Sequence, residues 1–100
     1  MYLNVFRSRK RADYDAAAYT ADAARMIELA QAQPGFLAVK SYAAPDGETV
    51  TISEWESEAH AQGWGRHPEH ALVQGRGRLE YYESYTMFTC AEPRVQRFGG

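Results

Sequence analysis

Residues 34–57, PGFLAVKSYAAPDGETVTISEWES, decide the fold of this chain. Phe36 to Ala44 reads as one strand and Glu48 to Glu56 as another. Between them, Pro45-Asp46-Gly47 is a turn by its chemistry: the proline ring fixes φ, the aspartate bonds its own backbone, and the glycine accepts a positive φ. So short a connection makes the two strands antiparallel. In the first, Phe36, Ala38 and Tyr42 are expected opposite Leu37 and Val39. In the second, Val50 and Ile52 alternate with Thr49, Thr51, Ser53 and Trp55, and Glu54 shares the face of Val50 and Ile52.

Upstream, Pro34-Gly35 closes a helix. Asp13 or Asp15 caps its start, and an alanine-rich run carries it to about Gln33. Ala16, Tyr19, Ala23, Met26, Ile27 and Ala30 fall at helical spacing on one face, whose small residues let the helix lie close to what it covers. Before it, Tyr2 to Phe6 is a strand with Leu3 and Val5 on one side and Tyr2, Asn4 and Phe6 on the other. The cationic run Arg7-Ser8-Arg9-Lys10-Arg11 reads as a solvated strand end and loop.

Downstream, Ser57 caps a second helix, Glu58 to about Gly65, with His60 and Trp64 one turn apart. His67-Pro68 breaks it and opens a third, short helix to about Gln74. Gly75-Arg76-Gly77-Arg78 reads as a loop. Leu79 to Cys90 then forms a last strand bearing Tyr81, Tyr82, Tyr85 and Phe88. Residues 1–92 make one domain and 93–100 a tail.

The order is therefore β-α-β-β-α-α-β. A right-handed crossover leaves a gap between the first two strands, which the third fills, while the last joins the other side of the first. The fold class is α+β: a ferredoxin-like split β-α-β with a four-stranded antiparallel sheet and helices on one face. The second face is expected to expose large Phe, Tyr and Trp side chains, a patch that a homodimer would hide.

Composition bounds the function. The 100 residues are 45% hydrophobic and 24% charged, which excludes disorder and a disulfide scaffold. A net charge of −2 supplies no field for nucleic acid or an anionic membrane. Cys90 is the one cysteine, which fits a reducing compartment, and no apolar run approaches the about 20 residues of a membrane span. The expected location is the cytoplasm.

The histidines carry the candidate chemistry. His60 and Trp64 share a helix face, and His67-Pro68-Glu69-His70 follows. His67 is also suited to cap the third helix through its ring nitrogen. His67 and His70 have ligand-like spacing, but a zinc site needs a third convergent ligand, so no metal is expected. Gly75-Arg76-Gly77 precedes a strand and not a helix, so it is no phosphate loop.

Pro34-Gly35-Phe36, Asp46-Gly47-Glu48, Thr51 through Ser57, and Trp64-Gly65-Arg66-His67-Pro68-Glu69-His70 together resemble the antibiotic biosynthesis monooxygenase domain, over about residues 2–92. The resemblance implies a dimeric α+β barrel with a cleft between helices and sheet. It implies oxidation of a small phenolic or quinol-like aromatic by O₂, with no cofactor. His70 or His60 would be the base. Trp64 and Tyr82 would donate hydrogen bonds and stack on substrate, and Asn4 would orient O₂ or a carbonyl. Phe6, Trp55 and Phe36 complete the substrate-binding set. The implied partners are a second copy of the chain, the aromatic substrate and O₂. The alternative is a non-catalytic ligand-binding or interaction module on the same barrel. A heme-degrading branch resembles the chain less, since Gln74 stands where its axial His is expected and Asn4 lies two places before the best-aligned position, Phe6.

Overall fold

The computed structural model describes residues 1–99. In chain order the elements are β1 (Tyr2–Lys10), α1 (Ala16–Gln31), β2 (Phe36–Ala43), β3 (Thr49–Trp55), α2 (Glu58–Gly65), α3 (Pro68–Arg76), a π-helical turn (Gly77–Tyr81) and β4 (Tyr82–Ala91). The strands form one sheet in the order β2-β3-β1-β4, every pair antiparallel. This is the ferredoxin-like α+β topology expected from the sequence, with β3 in the gap and β4 on the free side of β1.

Local chemistry sets the boundaries. Asp15 accepts the Ala18 N–H at 3.0 Å and starts α1. Ser57 accepts the His60 N–H at 3.2 Å and starts α2. Pro68 opens α3, and His67 Nδ1 accepts the Glu69 N–H at 3.2 Å as its cap. In the β2–β3 turn, Gly47 has a φ of +91°, and Asp46 accepts the Glu48 N–H.

The core gathers where α1 and α2 cross the β2–β3 end of the sheet. Ala30, Trp55, Ala61 and Trp64 are buried together, with Tyr2, Met26, Leu29 and Phe36 packed against them. Phe36 meets Trp55 edge to face at 5.6 Å between ring centroids, and Trp55 stacks on Trp64 at 6.3 Å. Rings in these arrangements contribute beyond their buried area.

Three expectations change. First, the register of β2 shifts between Phe36 and Ala38: Phe36 pairs with Trp55, but Ala38 pairs with Glu54. This bulge puts Phe36 on the helix side with Val39, away from the face of Ala38 and Tyr42. The Trp55 ring draws Phe36 inward. Second, residues 75–78 are not a loop. The helix α3 runs through Arg76 and a π turn follows, so β4 begins at Tyr82 and not at Leu79. Third, the rings crowd the helix side of the sheet. With side chains alternating along each strand, Phe6, Trp55 and Tyr85 face the helices. The opposite face carries the alternate residues: aliphatic Leu3, Val5, Val50 and Ile52 interspersed with the charged Arg7, Lys40 and Glu54, and Tyr42 and Phe88 as the large rings.

Candidate functional site

Between the sheet and the helices α1 and α3 lies a cavity of about 410 Å³. Asn4 and Phe6 of β1 form its floor, and Thr51 and Ser53 of β3 continue it. Trp55 Nε1 donates to Ser53 Oγ at 3.2 Å, and the Ser41 and Thr51 hydroxyls bond each other at 2.7 Å. The Asn4 carboxamide makes no side-chain hydrogen bond among the described residues, so its donor and acceptor remain available to a ligand. Trp55 stands in the wall but is fully buried, and it shapes the cavity without presenting surface to it.

His70 is the reactive group in this wall. Its ring lies on Trp64 at 4.1 Å between centroids and only 8° from parallel. Nδ1 is 3.0 Å from the Trp64 carbonyl oxygen. A carbonyl only accepts, so Nδ1 carries the proton and donates, which leaves the Nε2 lone pair free. Burial holds the imidazole below its usual pKa; the bond to the Trp64 carbonyl opposes this, and nearby His67 reinforces it. His70 is therefore a neutral imidazole at physiological pH, with one fixed tautomer and a basic nitrogen free of protein partners.

Tyr82 contributes the complementary group. Burial first, and then the neighbouring Tyr19 phenol, push its hydroxyl well above the ordinary tyrosine range. It stays protonated and so keeps an O–H to donate. Its ring meets Phe6 edge to face at 5.4 Å and Tyr85 at 6.0 Å. Gly77 is what lets the ring lie there. A Cβ at residue 77 would come 2.7 Å from Tyr82 Cε2, so this position has room for hydrogen alone.

A polar strut ties α1 to the far wall. The Asp22 carboxylate accepts two bonds from Arg76, at 2.9 and 2.8 Å, and one from the buried Tyr81 hydroxyl at 2.6 Å. The guanidinium is the main reason that Asp22 is held below the usual carboxylate range. Burial opposes it, and the Tyr81 bond adds to it. The bond to Asp22 in turn raises the Tyr81 phenol.

Of the residues singled out in the sequence, the structure brings Asn4, Phe6, Trp55, Trp64, His70 and Tyr82 to one cavity. It does not bring His60 or Phe36. His60 Nδ1 is 2.8 Å from Ser57 Oγ, and its ring presses on Gly35. Phe36 packs on Trp55 within the core. Among the described residues, no group of three or more His, Cys, Asp or Glu is placed to hold a metal ion. Sequence reasoning missed Asp22, Tyr81 and Arg78, which also line the cavity. Asp22 carried a usable signal: it is a lone acid beside Tyr19, Ala23 and Met26 on the apolar stripe of α1, and buried acids are rarely unpaired.

Comparison with known proteins bears on this arrangement. The sequence profile of the antibiotic biosynthesis monooxygenase family matches residues 1–76. The chain belongs to that family. As a family member it is similar to the uncharacterized protein YqjZ of Bacillus subtilis (strain 168), 39% identical over 80 residues covering 80% of this chain and 70% of that protein. Its fold is similar to that of Rv0793 from Mycobacterium tuberculosis, with a TM-score of 0.82, 18% identity, and 96% and 98% of the two chains covered. It is also similar to a structure described as an antibiotic biosynthesis monooxygenase, with a TM-score of 0.79, 12% identity, and 94% and 100% covered. At these identities the structural likeness concerns the fold. The family match ends at residue 76, so Arg78, Tyr81 and Tyr82 lie beyond the matched stretch. Among the described residues, no helix is long and apolar enough to cross a membrane.

Proposed function

We propose that this family member is a monooxygenase that oxidises a small fused-ring phenol or hydroquinone with O₂, using His70 as base. The observation that carries the reading is the neutral His70, stacked on Trp64 with Nε2 free, in the wall of a largely aromatic cavity. Its volume of about 410 Å³ falls within the range of small-molecule sites, roughly 300–1,000 Å³.

The chemistry balances without an outside reductant. In an anthrone-like substrate, Nε2 removes one proton from the methylene between the rings, and the pair of electrons spreads onto the carbonyl oxygen across the central ring, which becomes a phenolate-like anion. That anion passes one electron to O₂. The resulting radical and superoxide combine, forming a C–O bond and a peroxide anion, which takes the proton back from the His70 imidazolium. Loss of the second methylene proton with cleavage of the O–O bond gives a carbonyl and hydroxide, and hydroxide plus that proton is water. In sum, R₂CH₂ + O₂ gives R₂C=O + H₂O, and the substrate carbon supplies all four electrons. Tyr82 donates to the developing oxyanion, and the Asn4 amide bonds the oxygen species. The surrounding rings keep water from the anion.

The outer sheet face supports a homodimer. Leu3, Val5, Val50, Ile52 and Phe88 share that face by register, and the Arg7–Glu48 ion pair stands beside them. The lone Cys90 fits action in the cytoplasm.

Oxygen uptake with anthrone-like and hydroquinone substrates tests the reading, corrected for spontaneous oxidation. His70→Ala is expected to slow turnover by roughly 10²–10⁴-fold, the range for loss of a general base. Equal rates for the two proteins would remove His70 from the role. Binding without turnover in the wild type would instead identify a ligand-binding module.

A further inference from the structure

We propose that the aromatic ligand of this cavity carries a carboxylate, held at the mouth by Arg78; this rests on the reading of the cavity as an aromatic-substrate site. The inference follows from a census of charge around the cavity. The Asp22 carboxylate is spent on Arg76 and Tyr81. Tyr81 and Tyr82 stay protonated, and His70 is neutral. The guanidinium of Arg78 is the one remaining charge in the lining. Among the described residues it has no carboxylate within ion-pair distance, although Glu80 and Glu83 are close in sequence. Arg7, Arg9, Arg11, Arg25 and Arg76 each have a carboxylate partner, whereas Arg66, Arg94 and Arg97, which also have none among the described residues, lie outside the lining.

Backbone geometry gives a second, independent reason. Arg78 lies in the π turn Gly77–Tyr81, and π turns recur at functional sites because they re-aim side chains. This one brings Arg78 and Tyr81, with Tyr82 just after it, to the same cavity. A planar acid would thus enter rings first, between Phe6, Tyr82 and Trp64, with its carboxylate left at the exposed guanidinium. Arg78 then decides which end of the molecule reaches His70.

Both tryptophans of the chain, Trp55 and Trp64, stand in the cavity wall, so tryptophan fluorescence reports occupancy directly. The probes are an anthraquinone carboxylate and its neutral carboxamide, titrated into wild type, Arg78→Gln and Arg78→Lys. In wild type at low salt the carboxylate is expected to bind about fivefold tighter, near the upper end for a solvent-exposed ion pair. The preference should shrink at high salt, vanish in Arg78→Gln and largely survive in Arg78→Lys. Equal binding of the two probes to wild type, or an undiminished preference in Arg78→Gln, overturns the assignment while leaving the aromatic site intact. Quenching by neither probe removes the aromatic site as well. Because Arg78 is exposed and unpaired, its variants should match wild type in circular dichroism.

Discussion

Replacing Gly35 with alanine should destabilise the fold by about 2–5 kcal/mol, and His60 should be the main reason. Two costs add. Gly35 has a φ of +78°, where an L-residue is disfavoured by about 1–2 kcal/mol. The new methyl would also overlap His60 Cγ and stand 2.5 Å from its Cβ and Cδ2. His60 Cβ is fixed to the backbone of α2, so turning the ring cannot clear it, and the helix itself must give way. Overpacking of this kind costs about 1–3 kcal/mol. At roughly 4–8 °C per kcal/mol for a domain of this size, the melting point should drop by roughly 8–40 °C. His60→Ala alone loses the Ser57 Oγ bond to Nδ1, about 1 kcal/mol, while the backbone cap from Ser57 survives. In the double variant the overlaps with Cγ and Cδ2 are gone, but alanine keeps a Cβ at the same 2.5 Å, so part of the steric cost remains beside the φ penalty. Denaturation of all four proteins should therefore give a coupling of about 1–2 kcal/mol, the part of the overpacking that Cγ and Cδ2 cause, with the double variant more stable than the sum of the singles predicts. Additivity within about 0.5 kcal/mol would refute the steric account. The same His60→Ala protein should keep wild-type oxygen uptake, because His60 lies outside the cavity lining.

Two further outcomes are expected. An unfolded imidazole titrates near pH 6.5, whereas burial lowers the pKa of folded His70, so the unfolded chain binds the extra proton first. The contribution of His70 to stability is complete above about pH 6.5 and is lost as pH falls below it; denaturant titrations at several pH values should show the loss, and His70→Asn should abolish it. Val5→Glu should convert the proposed dimer to monomer in sedimentation at micromolar concentration, because its register neighbours are Ile52 and Phe88 and each copy would bury a charge at a cost on the order of several kcal/mol; a monomeric wild type would remove the dimer from the account.

The strand order was legible because it follows from chain-local facts: a short Pro45-Asp46-Gly47 connection, one long crossover helix and two faces of alternating side chains. What stayed hidden depends on contacts between distant residues. The bulge at Leu37 arises because Phe36 meets Trp55, and nothing within β2 alone calls for it. The segment 75–78 reads as loop from its glycines, yet Arg76 is helical and bonded to Asp22, 54 residues away. The histidines illustrate the same limit. His60 lies one turn before Trp64 on α2, which made it look like a partner of the indole. His70 lies across the break at Pro68, where helical spacing no longer relates side chains. Only the way α3 turns back on α2 stacks the imidazole of His70, and not that of His60, on Trp64.

The persistence of an open cavity in so small a domain needs a cause, because apolar walls gain by closing on one another. The face of α1 that looks into it includes Ala23 and Ala30, too short to fill the space from above. The rings of Phe6, Tyr82 and Tyr85 brace one another from below, in contacts of 5.1–6.0 Å that none can leave alone. Collapse would then require α1 to move toward the sheet. The Asp22–Arg76–Tyr81 strut resists this, since the carboxylate accepts three bonds from groups on α3 and the π turn. Any such movement would strand the Tyr81 hydroxyl, a buried donor, without its acceptor. The strut that consumes the acid's charge is thus also what holds the walls apart, and among the described residues it leaves the guanidinium of Arg78 as the one charge of the lining without a carboxylate partner.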